Sequence, residues 1–156
     1  MNELELWNVP ADHPDALYLV RELESYQVAL YGHADPAALD PARFVPPVGL
    51  FVVAYHGDVP IACGGCHVWQ KEPLIMEIKK MFTVPMWRDH GAGRRLLSRL
   101  EGFAAESGAQ QIVLESGEKN TEALKLYRAA GYRPISAYVA GRTSINRAFG
   151  KVLPRK

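Results

Sequence analysis

Thr83-Val84-Pro85-Met86-Trp87-Arg88-Asp89-His90-Gly91-Ala92-Gly93-Arg94 is the stretch on which the fold of this 156-residue chain turns. Before it, residues 74–84 (LIMEIKKMFTV) alternate Met76, Ile78 and Lys80 with Glu77, Lys79 and Met81, the period of a strand. Pro73 and Pro85 bound that run too closely for a helix. After it, Leu96, Leu97, Leu100, Phe103 and Ala104 recur at helical spacing, and Gly108 supplies a stop. A strand that ends in a tight turn and restarts as a helix at two glycines presents consecutive backbone N–H groups. The helix N-terminus adds roughly half a positive charge, which suits a phosphate. Gly91 and Gly93 carry no side chain to block a close approach, and Arg88 and Arg94 add charge. The pattern is not G-x-x-x-x-G-K-[ST], and it lacks the third glycine of the dinucleotide fingerprint. Taken alone, the turn also reads as a helix start with glycine for packing.

Outward from this turn, the other elements follow. Leu4, Leu6 and Val9 suggest a short first strand. Asp12 or Asp15 can cap a helix that runs to Tyr31 with Pro14 in its first turn. Residues 32–49, punctuated by Gly32, Pro36, Pro41, Pro46, Pro47 and Gly49, read as a loop or a short broken helix. Residues 50–56 and 59–68 form a hairpin about Gly57-Asp58. Residues 111–115 are a buried strand, Asn120 to Ala130 a helix ended by Gly131, and residues 132–139 and 144–153 two closing strands. This order predicts a mixed sheet with helices on its faces, an α/β domain in the broad sense.

Composition narrows the function. Eighteen basic and 17 acidic side chains leave a net charge of +1, unlike the strong basicity of a nonspecific nucleic-acid binder. The balance hides a split: residues 1–40 hold eight acids and one base, −7, and residues 41–156 sum to +8. No run of about 20 apolar residues suggests a membrane span, and the N-terminus does not resemble a signal peptide. Two cysteines suggest a reducing compartment, the cytoplasm. Cys63 and Cys66 form a C-G-G-C, but a zinc site needs about four ligands, and no second pair exists. Residues three apart on a strand also point to opposite faces, so the thiols should diverge. His67 reads as an ordinary strand residue.

Arg88-Asp89-His90-Gly91-Ala92-Gly93 resembles the R/Q-x-x-G-x-G/A acetyl-CoA signature of the GNAT acetyltransferase superfamily. Residues 77–83 look like the strand that precedes that signature. Asn120-Thr121-Glu122-Ala123, with Leu126 to Tyr132, looks like the family's second cofactor motif, N-x-x-A-x-x-x-Y followed by G-F/Y. The resemblance implies a single GNAT domain over residues 1–156. Its fold would be α/β (α+β): a mixed, mostly antiparallel sheet of about six to seven strands, about four helices, and a splayed cofactor cleft after the fourth strand.

It also implies a site. The N–H groups around Asp89, His90, Gly91, Ala92, Gly93 and Arg94 would hold the pyrophosphate of acetyl-CoA, beside Arg88. The backbone of Met81, Phe82 and Thr83 would pair with the pantetheine arm as an added strand, and the Phe82 N–H would polarise the acetyl carbonyl. Asn120 would hydrogen-bond the cofactor. Asp89 departs from the small residue usual in the signature and should point outward. An amine near pKa 10.4 is neutral only about once in a few thousand at pH 7, so a base is useful. Glu77 and Glu115 are the candidates. Tyr127 matches the family's general acid for the CoA thiolate. Proton transfer from a free tyrosine to a free thiolate is uphill by about 2 kcal/mol, so a strengthening hydrogen bond describes its role better. No metal is needed. The implied activity is transfer of acetyl to a primary amine by direct attack in a ternary complex.

The alternative is a weak or inactive CoA-binding interaction module of the same fold, and larger acyl groups stay open. The charge split suggests that the acidic segment faces a cationic small molecule or peptide amine. No nucleic acid or membrane partner is expected, and the resemblance allows a homodimer. Tyr26, Tyr31, His33, Phe44, Trp69 and Tyr138 are candidate acceptor walls.

Overall fold

Both faces of the central sheet are buried, and the run Leu50 to Ala54 shows why. In the computed structural model, which describes residues 4–34, 39–140 and 146–154, Phe51 and Val53 point into one cluster and Val52 and Ala54 into the other. A strand covered on both sides reads as continuous hydrophobic sequence, because successive side chains enter opposite layers.

The elements are β1 (Leu4–Asn8), α1 (Pro14–Tyr31), a 3-10 turn (Pro41–Phe44), β2 (Gly49–His56), β3 (Val59–Lys71), β4 (Leu74–Thr83), a second 3-10 turn (Pro85–Trp87), α2 (Ala92–Glu106), β5 (Gln111–Gly117), α3 (Thr121–Ala129), β6 (Arg133–Pro134) and β7 (Asn146–Val152). They build a seven-stranded sheet in the order β1-β2-β3-β4-β5-β7-β6. Every pairing is antiparallel except β4 with β5. Leu96, Leu97 and Leu100 of α2 pack on one face; Ala16, Leu19 and Leu23 of α1 pack on the other with Phe44, Phe51 and Phe82. Cys63 and Cys66 enter these two opposite clusters, as their spacing on a strand predicted. Burial raises the pKa of each thiol to about 12, so both stay protonated at neutral pH.

Several boundaries differ from expectation. The N-cap of α1 is His13, whose Nδ1 accepts the Asp15 N–H at 3.1 Å, rather than Asp12 or Asp15. A ring nitrogen can accept as an aspartate does. The described residues contain three α-helices and two 3-10 turns instead of about four helices; among the described residues of 32–49 the helical element is the turn at Pro41–Phe44. Of the expected strand 132–139, only Arg133–Pro134 pairs with β7. One further hydrogen bond, from the Ile135 N–H to the Ala148 carbonyl at 3.0 Å, follows it before the pairing stops. Residues 144 and 145 of the last expected strand lie outside the described residues; β7 begins at Asn146. Among the described residues, no helix is long and apolar enough to cross a membrane.

The first 3-10 turn is seated on β2 at Gly49. A Cβ there would lie 2.1 Å from the Arg43 carbonyl oxygen and 2.6 Å from that of Cys66. Neither backbone atom can swing away as a side chain could. Gly49→Ala should therefore cost about 2 kcal/mol of stability. Urea unfolding would show a lower midpoint at unchanged slope; an unmoved midpoint would mean that the turn is held loosely.

Candidate active site

The cleft begins where two strands part. β4 and β5 pair only through Ile75, Met76 and Glu77 against Gln111, Ile112 and Val113. Three residues on, β4 bulges: Gly65 of β3 opposes Lys79 and Cys63 opposes Phe82, so Lys80 and Met81 share the place opposite Gly64. Lys80 takes a left-handed conformation, φ 59°. A bulge bends its strand and increases its twist. Beyond it, Met81, Phe82 and Thr83 wall a cleft of about 390 Å³, with the start of α2 and residues Asn120 and Tyr127 of α3 on the far side. The β4 edge facing β5 has no strand partner there among the described residues, so its N–H and C=O groups can pair with an extended ligand.

The turn into α2 supplies donors. Its N-cap is Gly91, φ 87° and ψ 2°, and no side chain caps it. The first-turn N–H groups have no intrahelical acceptor. They border the cleft at Gly91, Ala92, Gly93 and Arg94. Uncapped donors at a positive helix end match the phosphates of acetyl-CoA, so the residues present fit that group. Asp89 is exposed and left-handed, φ 65°. Arg88 is braced rather than free: its Nε donates to the Thr83 carbonyl at 3.2 Å, and its guanidinium lies 4.7 Å from the centre of the Tyr26 ring. That contact joins α1 to the phosphate turn. His90 alone of residues 88–94 does not border the cleft; its ring meets the Arg88 carbonyl at 2.8 Å and Trp87 edge-on. Asn120 caps α3, accepting the Ala123 N–H at 3.4 Å.

A second cavity of about 150 Å³ opens on the α1 side of the splay. It shares Tyr26, Met81, Asn120 and Tyr127 with the cofactor cleft, and Glu115 borders it. A third, of about 200 Å³, shares Lys79 and Lys80 with the second and is lined by Glu77, His67, Arg43 and Trp69. Tyr127 and Glu115 thus meet at one cavity, and Glu77 belongs to the next. Tyr127 is buried, which holds its pKa well above the ordinary value of 10.

Glu77 is almost fully buried and doubly bonded. Its Oε1 lies 2.8 Å from His67 Nε2, and its Oε2 accepts the Tyr138 hydroxyl at 2.7 Å. Burial alone would raise its pKa. The hydrogen bonds from His67 and Tyr138, with the charge of Lys79, outweigh burial, and the net shift is downward. Arg43 Nη2 lies 3.0 Å from His67 Nδ1. The same ring nitrogen lies 3.1 Å from the Val68 carbonyl oxygen, so polar groups hold His67 at both ring nitrogens. Sequence reasoning passed over His67 and Arg43. A hairpin turning at Glu72-Pro73 places His67 opposite Glu77, which is the signal that could have found the pair.

The acidic segment does not face the Tyr127 cavity. Residues 1–40 contribute Leu23, Tyr26, Gln27, Leu30, Tyr31 and His33 to it, with no carboxylate among the described residues. Glu22 lines a separate groove with Tyr18, Val59 and Met86. The apolar stripe of α1 turns inward, so its acids lie elsewhere. Tyr26, Tyr31 and His33 wall the second cavity, and Phe44 and Trp69 the third, where Tyr138 stacks edge-on to Trp69 at 5.0 Å.

The sequence profile of the acetyltransferase (GNAT) family matches residues 16–132. A protein of Azospirillum brasilense named IAA acetyltransferase is 32% identical over 114 residues, 73% of this chain and 74% of that one. A GNAT-family acetyltransferase structure from Staphylococcus aureus superposes with a TM-score of 0.74 at 15% identity, over 97% of this chain and all of that one. Arabidopsis thaliana NAA60, solved with acetyl-CoA, superposes with a TM-score of 0.65 at 11% identity, over 97% and 99% of the two chains. At these identities the structural likeness is one of fold. With the profile spanning both cofactor motifs and the splayed strands, the chain belongs to the acetyltransferase (GNAT) family.

Proposed function

We propose that the protein is an N-acetyltransferase that moves the acetyl group of acetyl-CoA to a primary amine of a small molecule or peptide by direct attack in a ternary complex. The observation that carries this reading is that two cavities share Tyr26, Met81, Asn120 and Tyr127 in their walls. A donor filling the cleft and an acceptor filling the second cavity would meet there. When bound, acetyl-CoA supplies a thioester carbonyl open to attack and a thiolate leaving group.

The chain's own residues then have separable tasks. The first-turn N–H groups of α2, with Arg88 and Arg94, bind the pyrophosphate. The open edge of β4 at Met81, Phe82 and Thr83 orients the pantetheine arm, and Asn120 closes the cleft from α3. Tyr127 donates a hydrogen bond to the departing sulfur. Its raised pKa makes full proton transfer to a thiolate still less favourable than for the free groups, so it acts by stabilising developing charge. We assign Glu115 as the base or water-holder, because it borders the Tyr127 cavity. Glu77, lowered in pKa and bonded through both oxygens, is better suited to holding His67 and Tyr138. The expectation of a net-cationic acceptor loses its structural basis with the acids of α1 turned away.

Release of CoA thiol with a panel of amines tests the activity; no release with any amine would favour the CoA-binding module instead. Glu115→Gln should lower kcat/KM about 100-fold at pH 7. The deficit should shrink as pH rises toward the acceptor's own pKa, where solution supplies the neutral amine. If Glu77→Gln shows that recovery and Glu115→Gln does not, the two roles are exchanged.

A further inference from the structure

The third cavity has a built cation at its far end. Arg43 borders it, and its Nη2 is held by His67 Nδ1 at 3.0 Å and by the Val68 carbonyl at 3.4 Å. His67 is itself buried between Glu77 and the ring of Phe44, 5.3 Å away. The exposed Arg43 guanidinium therefore rests on a buried side chain. It has no carboxylate partner among the described residues.

The two carboxylates that share this cavity are both committed. Glu77 accepts from His67 and Tyr138, with Lys79 beside it. Asp40 accepts the Ala42 N–H at the start of the 3-10 turn. Arg43 borders the same cavity as these two carboxylates and pairs with neither among the described residues. An arginine with idle donors in such a cavity suits a planar or tetrahedral anion, which it can grip through two parallel N–H bonds.

Position along the sheet adds a second constraint. Glu115 is on β5 beyond its last pairing with β4, and His67, which carries Arg43, is on β3 on the other side of β4. The second and third cavities share Lys79 and Lys80 in their walls. A molecule lying through both would have one end beside Tyr127 and Glu115 and the other beside Arg43. Trp69, braced edge-on by Tyr138, walls the third cavity beside Arg43.

From this arrangement we infer that the acceptor is an anionic amine: it carries a carboxylate or phosphate, several bonds from the nitrogen that is acetylated, and Arg43 holds that anion. Arg43 is thus a specificity-determining residue. The inference rests on the transferase reading above and narrows its acceptor class.

The test uses the full chain and a series of amines that share one linker and end in a carboxylate, a phosphate, a carboxamide or a trimethylammonium group. Thiol release gives kcat and KM, and calorimetry in the presence of CoA gives binding. One of the two anionic members should exceed the carboxamide at least tenfold in kcat/KM, with the difference in KM, and the better of the two identifies the anion. Arg43→Gln should bring that ratio close to one, Arg43→Lys should keep part of it, and Arg43→Glu should turn the preference toward the trimethylammonium. Unchanged acetyl-CoA affinity in each variant shows that the fold is intact. A carboxamide as good as both anions, or an anion preference that survives Arg43→Gln, overturns the inference. Acetylation indifferent to charge would sink it and leave the transferase reading standing. Tenfold tighter binding of an anionic member without thiol release would do the reverse.

Discussion

Gly91→Val is expected to weaken acetyl-CoA binding at least 100-fold while leaving the protein folded. A factor of 100 is about 2.7 kcal/mol, and two effects supply it. Gly91 sits at φ 87°, where a β-branched residue is strained by roughly 1–2 kcal/mol. The turn would relieve that strain by rotating, which re-aims the N–H groups that face the cleft. Its Cβ would also project into open space, with no protein atom within 4 Å. That emptiness makes the fold tolerant of the side chain, yet Gly91 borders the cleft, so the space belongs to the ligand. Gly93→Val should also fail to bind, by a different route, since its Cβ would come within 2.8 Å of Leu126 Cδ2 and displace a side chain that lines the same cleft. Calorimetry measures the affinity, and a preserved cooperative melt shows that folding is not the cause. Wild-type affinity in Gly91→Val would remove the turn from cofactor binding.

Tyr127→Phe is expected to lower kcat about 100-fold, with acetyl-CoA affinity within threefold of the wild type. Loss of a single donor aimed at developing charge has an effect of that size. The ring would remain: Tyr127 packs against Tyr132 at 5.9 Å between centroids and is 5% exposed, so phenylalanine fills the same space. The binding surface is kept and only the hydrogen bond to the leaving sulfur is lost. The pH dependence follows from the sign of the shift. Burial raises the phenol pKa above 10, so Tyr127 stays protonated across the working range and contributes no basic limb to kcat below pH 10. Unchanged kcat in Tyr127→Phe would return Tyr127 to the core; a basic limb abolished by the substitution would mean that the phenol ionises within that range.

The two variants probe parts of the site that were readable in different ways. The phosphate turn is a local object. Its strand period, its two glycines and the helix that follows lie within residues 74–108, so sequence carries the whole pattern. Tyr127 was readable only through its motif, because a tyrosine on an apolar helix stripe looks the same whether it packs or reacts. His67 shows the opposite case. Nothing in IACGGCHVW marks it, and its role appears only when the β3–β4 hairpin sets it opposite Glu77. Two side chains ten residues apart become one buried pair, and Tyr138 takes the second carboxylate oxygen of Glu77.

The charge split shows why segment sums do not place charge. Residues 1–40 carry −7, and that excess seemed to point at the acceptor. A helix, however, presents several faces, and α1 buries Leu19 and Leu23 while Glu22 faces another groove. The charge that borders the acceptor cavities comes from Arg43, Lys79, Lys80, Asp40, Glu77 and Glu115, drawn from four separate elements and connections.

By itself, then, the sequence determined the order of strands and helices, the mixed sheet and the anion-binding turn, because each rests on residue periods and on backbone freedom at a few positions. The parting of β4 from β5, the three cavities with walls in common and the commitment of Glu77 to His67 and Tyr138 were decided by tertiary structure. Each depends on which side chains meet across strands, and register and bulge set that only when the whole sheet closes.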